Sequence, residues 1–202
     1  MKKLPTYLFL VLLIISTFSF ADDISKIEDI EIEGISIGDS LLKYLSKEEI
    51  IKEIEINKHA YNYLNDDFGE VYLFSNFDNY DHLSFLVKEK NDKNYIIYFI
   101  KGSIKYDNKL EECFAKQEEI EKEFSKIYKN TKKDEYTLEF DWDPTGESVT
   151  HNISFYFDTG GYSDINCTKY KQSLKNEHGW MDTLQVIIGS EEVLDWFSNP
   201  IN

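Results

Sequence analysis

Residues Lys109–Tyr128 read KLEECFAKQEEIEKEFSKIY, and the organisation of the chain turns on how this stretch folds. Leu110, Cys113, Phe114, Gln117, Ile120, Phe124, Ile127 and Tyr128 recur at helical spacing and form one stripe. Glu111, Glu112, Glu119, Lys122, Glu123 and Lys126 cover the other side, and Asn108 stands where a cap belongs. On both flanks the period drops to two. Upstream, Phe68–Phe74, His82–Glu89 and Tyr95–Tyr106 read as strands, the last two joined by the turn signal Asn91-Asp92-Lys93-Asn94. Downstream, Tyr136, Leu138, Phe140 and Trp142 alternate on one face, followed by Val149, His151, Ile153, Phe155 and Phe157. Ile165 with Cys167, then Leu184, Val186 and Ile188, complete the set.

Strands joined by short turns pair antiparallel, and a long amphipathic helix needs a sheet face to bury against. The expected fold class is therefore α+β: an antiparallel β-sheet with one long amphipathic helix packed on it, two short N-terminal helices and a short C-terminal helix. The first N-terminal helix is expected to start at Asp39 or Ser40. The second starts at Ser46, where Ser46-Lys-Glu-Glu49 makes a capping box. Ser190 caps the last helix, which carries Val193, Leu194, Trp196 and Phe197. Ahead of the first helix, Ile27, Ile30 and Ile32 alternate with acidic residues in an extended arm.

Residues 1–21 have the pattern of a cleaved export signal. Lys2 and Lys3 precede an apolar run from Leu8 to Ile15, and Ser19-Phe20-Ala21 offers a small-x-small cleavage site. The run is too short to span a bilayer comfortably, so no integral membrane segment is expected after cleavage. The remainder, 22–202, is 181 residues, the size of one α+β domain. It carries 20 lysines against 38 acids, a formal charge of −18, and the chain contains no Arg. Arginine is the preferred bidentate partner of phosphate, so a strongly acidic, Arg-free domain is a poor binder of nucleic acid or anionic lipid.

An even cysteine count in an exported chain favours a disulfide. Cys113 lies on the apolar stripe of the helix and Cys167 on the apolar parity of its strand. The two would meet between helix and sheet.

Several motifs promise chemistry. Gly38-Asp39-Ser40-Leu41 spells the motif of the GDSL esterases and resembles it in lying early in the mature chain, with Ser40 as nucleophile. That family also needs an Asp three residues before a His, whereas His59, His82, His151 and His178 are preceded at that distance by Ile56, Asn79, Ser148 and Lys175. A serine without a base and an oxyanion hole is a weak nucleophile. Ser40 is read as a helix cap, with a secreted GDSL-type serine esterase as the alternative. The segment FDWDPTGES, Phe140–Ser148, resembles both the Asp-x-Asp-x-Thr of haloacid dehalogenase-type phosphatases and the opening of an EF-hand loop, with Asp141, Asp143 and Glu147 as candidate cation ligands. Asn152 stands where an EF-hand has its bidentate Glu, and Pro144 with Gly146 suits a hairpin turn. The histidines lack zinc-ligand spacing, and His151, at an apolar parity, reads as a hydrogen-bonded core residue. No cofactor pattern is present. The densest aromatic cluster, with Tyr61, Tyr63, Tyr72, Phe77 and Tyr80, is the candidate ligand surface, for carbohydrate or peptide.

The segments IEGISIGDSLLKYLSKEEI (Ile32–Ile50), KGSIKYDNKLEEC (Lys101–Cys113) and DINC (Asp164–Cys167) are together similar to a family of small exported proteins from bacteria with AT-rich genomes. That family has no assigned activity; the resemblance implies export and a one-domain fold and carries over no catalytic residue. The function expected is that of a periplasmic or secreted binding or interaction module without catalytic activity, its partner a protein or small molecule of the cell envelope. A structural cell-envelope protein is the further alternative.

Overall fold

In the computed structural model, residues 23–90 and 92–201 are described; the expected export signal, 1–21, lies outside them. Seven strands form one antiparallel sheet: β3 (Phe68–Leu73), β4 (His82–Lys88), β5 (Ile97–Lys105), β6 (Thr131–Glu139), β7 (Val149–Phe157), β8 (Tyr162–Lys169) and β9 (Thr183–Gly189). Their spatial order is β3-β4-β5-β9-β8-β7-β6. Two meanders, β3–β5 and β6–β9, meet through the β5–β9 ladder at the centre. A smaller hairpin, β1 (Glu31–Ile32) with β2 (Ile35–Ser36), precedes them. The helices are α1 (Lys47–Asn57), α2 (Leu110–Ile127), α3 (Gln172–His178) and α4 (Glu191–Ser198). None among the described residues is long and apolar enough to cross a membrane.

This arrangement corrects the expected fold class in four ways. Among the described residues the seven-stranded sheet dominates, and three of the four helices are small beside it: α1 has 11 residues, α3 seven and α4 eight. The N-terminal arm is a hairpin, because Glu33 and Gly34 both take left-handed backbone (φ 53° and 75°) and turn Ile32 back onto Ile35. The helix expected at Asp39 or Ser40 is a three-residue 3-10 turn, Leu41–Lys43. Its approach is tied down as a strand would be. Gly38 N donates to Ile97 O, Ile97 N to Asp39 O and Leu41 N to Tyr95 O, each at 2.9 Å. Helix α3 was not anticipated; Gly179, left-handed at φ 69°, ends it by donating to Lys175 O.

Register fixes which side chains share a face. One face carries the main core: Val71, Phe85, Ile100, Val186, Ile165 and Ile153 lie on it, buried under α1, α2 and the β1–β2 hairpin. Gln117 satisfies two strand carbonyls beneath α2, His151 O at 2.9 Å and Ile165 O at 2.6 Å, and its own oxygen meets His151 Nδ1 at 3.0 Å. His151 is thus a hydrogen-bonded residue of the helix–sheet interface.

The Cys113–Cys167 disulfide joins α2 to β8 across 54 positions, as the sequence led us to expect. Loop-closure entropy for that separation corresponds to about 4 kcal/mol. Replacing both cysteines by serine should lower the unfolding free energy by roughly that amount in urea melts. A double variant as stable as the parent, or an intact mass unchanged by reduction, would contradict the bridge.

Candidate functional site

The second face of the sheet is divided. At one end Phe68, Leu86, Phe99, Tyr162 and Ile187 are covered by Val193 and Trp196 of α4. Beyond that roof the same alternation delivers polar side chains. One row across the strands runs Tyr72, Ser84, Lys101, Ile187, Asp164 and Ser154. The next runs His82, Ser103, Gln185, Asn166, Asn152 and Tyr136. Thr183, Thr168 and Thr150 follow.

Some of these groups satisfy one another. Thr168 Oγ1 donates to Thr150 Oγ1 at 3.0 Å. Lys101 Nζ meets Glu70 Oε1 at 3.0 Å, with the Glu70 side chain 2% exposed. Five atoms do not: Ser84 Oγ, Ser103 Oγ, Asp164 Oδ1, Asn166 Oδ1 and Thr183 Oγ1 are buried without a hydrogen-bond partner among the described residues. All five lie on this one face, on the adjacent strands β4, β5, β9 and β8. Buried polar atoms left unpaired cost free energy, so their concentration on one surface is a feature to be explained rather than background.

Burial sets the electrostatics of the floor. Burial pushes the Asp164 carboxyl up to about 6, the Ser154 hydroxyl beside it offsetting part of the effect. Burial also raises the phenols of Tyr72, Tyr156 and Tyr162, so all three keep their protons. Burial, with Lys101 and Lys105, lowers His82, which is a neutral imidazole at pH 7.

At the end opposite α4 the floor meets an aromatic ledge. Phe140 and Trp142 continue the parity of β6, and Tyr170 that of β8. Phe140 stacks on Trp142 at 4.7 Å and lies nearly parallel to Tyr170 at 6.1 Å. Trp180 stands edge-on to Trp142 at 5.4 Å. Trp142 and Trp180 are 50% and 39% exposed; the chain's third tryptophan, Trp196, is buried on the inner side of α4. The ledge is held by a buried ion pair, Lys175 Nζ to Asp182 Oδ2 at 2.5 Å, while Asp182 Oδ1 accepts from Tyr170 N at 2.9 Å. Lys171 N donates to Ser148 Oγ at 3.0 Å, which ties α3 to the 140–148 turn.

The residues singled out from sequence are scattered. Ser40 Oγ donates to Asn94 O at 2.5 Å, and Ser40 makes no side-chain cap. Asp143 is a turn clamp: its Oδ1 accepts from Thr145 Oγ1 at 2.6 Å and its Oδ2 from Ser148 N at 2.9 Å, bonds that hold its carboxyl well below the usual range. Asp141 is exposed, and Glu147 pairs with Lys171 at 3.3 Å. Among the described residues no group of three His, Cys, Asp or Glu is placed to hold a metal ion. The five aromatic candidates do not share a surface. Tyr72 lies on the polar face, whereas Phe77 and Tyr80 pack against the apolar one, Tyr80 filling the space where Gly102 has no Cβ. Tyr61 packs edge-on against Trp196 of α4 at 5.5 Å and lines a cavity of about 340 Å³ beside β3, which Glu70 also borders. Tyr63 is half exposed beside Tyr61.

Sequence reading missed Tyr170, Trp180 and the whole polar floor. Two signals were available: the continued parity of β6 and β8 into Trp142 and Tyr170, and the Gly179 helix stop just before Trp180. No family model, curated protein or solved structure matches the chain.

Asp164 gives the floor a pH signature. Its pKa is raised from 3.8 to about 6 in the folded protein, so the native state binds more protons than the unfolded chain between those values. Stability contributed by the protonated acid is therefore present below the lower value and lost as pH rises through the upper one. Asp164→Asn should stabilise the fold at pH 7 by no more than about 3 kcal/mol, read as a higher melting temperature. The gain should shrink to nothing near pH 4 in thermal melts across the range; a gain independent of pH would contradict the buried carboxyl.

Proposed function

We propose that the protein is an exported, non-catalytic binding module whose ligand surface is the polar face of the seven-stranded sheet. The observation that carries this reading is the convergence of five buried, unpartnered polar oxygens on four adjacent strands. A stability-optimised sheet would place apolar or mutually bonded side chains there; groups held in readiness for a ligand gain their partners when it binds. The disulfide fits an oxidising compartment. The signal-like residues 1–21 and the similarity to small exported proteins support the finer assignment to the periplasm or the extracellular space, in the cell envelope. Purified from its native compartment, the chain should begin at Asp22.

The esterase alternative has little to draw on. The Ser40 hydroxyl is spent on a backbone carbonyl, and the residues hydrogen-bonded around it supply no imidazole. Hydrolysis of short-chain nitrophenyl esters should stay at background and be the same for Ser40→Ala; activity abolished in a folded variant would reinstate the esterase.

The surface itself is tested without knowing the ligand. Hydrogen exchange with and without a low-molecular-weight periplasmic extract should show protection concentrated in 82–86, 99–105, 162–168 and 183–187. Protection confined to other segments, or none, would dispose of this face as the binding surface.

A further inference from the structure

Resting on that reading of the polar face, we infer that the ligand is a neutral oligosaccharide, lying across β4, β5, β9 and β8 with a sugar ring against the Trp142–Trp180 ledge. Four features of the site select this class.

The first is the chemistry of the free atoms. All five are oxygens, three of them hydroxyls that both donate and accept. Ser84 and Ser103 are 0% and 1% exposed and Asn166 9%, so these groups lie beneath neighbouring side chains of the floor, which must swing aside before small polar substituents of a ligand reach them. Hydroxyls arrayed around a sugar ring supply donors and acceptors together.

The second is where the groups stand. They lie on the face of a sheet whose main-chain donors and acceptors are paired in ladders on both sides. An extended peptide gains its affinity from main-chain bonds to a sheet edge, here β3 or β6, and the floor offers it none.

The third is the ledge. Phe140, Trp142 and Tyr170 present nearly parallel rings and Trp180 a perpendicular one, with both tryptophans substantially exposed at the margin of a hydrogen-bonding floor. A pyranose is polar at its rim and presents C–H groups on its face, which suits aromatic stacking beside polar contacts.

The fourth is charge. Lys101 is paired with Glu70, and the mature chain carries a net charge of −18 with no Arg, which disfavours phosphorylated or uronic ligands. The free oxygens extend over three inter-strand spacings, about 14 Å, more than a single sugar unit covers.

The test uses the folded, disulfide-bonded mature chain and a panel of neutral hexasaccharides: cellohexaose, chitohexaose, xylohexaose, mannohexaose and maltohexaose. A hexa-alanine-based soluble peptide is the control. Calorimetric titration and tryptophan fluorescence should detect at least one sugar at millimolar concentration or below. Trp142→Ala should weaken that binding about ten-fold or more. Thr183→Val, which removes one unpartnered hydroxyl, should weaken it while leaving the melting temperature the same or higher. Failure of the whole panel, binding of the peptide instead, or sugar binding untouched by both variants overturns the proposal. If hexasaccharides fail while the periplasmic extract still protects the polar face from exchange, the ligand class is wrong and the face stands. If neither protects it, both readings fall.

Discussion

The ladder between β5 and β9 is the constraint on which the rest of the structure depends. Seven residue pairs, from Phe99 with Gly189 to Lys105 with Thr183, join two meanders that could each close on themselves. Because β5 is followed by β6 at the far edge of the sheet, the connection must cross the whole of the second meander, and α2 does so on one side only. Its 18 residues span about 27 Å, enough to travel from the centre of the sheet to its margin. The disulfide then pins that crossing at β8. With one face taken by α2, α1 and the N-terminal hairpin, and α3 tied to the 140–148 turn, α4 covers part of the other face, and an eight-residue helix cannot cover seven strands.

That shortfall gives the protein its character. Antiparallel sheets tolerate one face in water, and period-two alternation makes the two faces chemically independent. The apolar face binds the molecule together, while the other carries polar groups that satisfy one another only in part. Burial of the Asp164 carboxyl, the paired Glu70 and Lys101, and the sunken hydroxyls of Ser84 and Ser103 all act against stability. They persist on a scaffold whose opposite face is buried from Val71 to Phe157.

The motifs that drew attention in the sequence were local in meaning, and the candidate site was not. Ser40 sits in a four-letter match, yet its hydroxyl is fixed by Asn94, 54 positions away. Asp143 sits in a string of acidic residues that imitates a cation loop, yet both its oxygens close a turn. Tyr61, Tyr72 and Tyr80 are neighbours in sequence, but the strand parities and the loops between them send them to three different environments. Conversely, Ser84, Ser103, Asp164 and Thr183 meet only because β4, β5, β9 and β8 are adjacent in space. Nothing in the neighbourhood of any one of them marks it.

The sequence by itself determined the local periods: the α2 stripe, the strand alternation, the caps at Ser46 and Ser190, and the pairing of its two cysteines. These follow from short-range sterics and from which side of each element is apolar. The strand order, the hairpin at Glu33–Gly34, the reduction of Leu41–Lys43 to a single turn, and the split of the second face into roof, floor and ledge were decided by tertiary structure alone. Each depends on hydrogen bonds and contacts between residues far apart in the chain, and periodicity records which side of a strand is apolar but not which strand lies beside it.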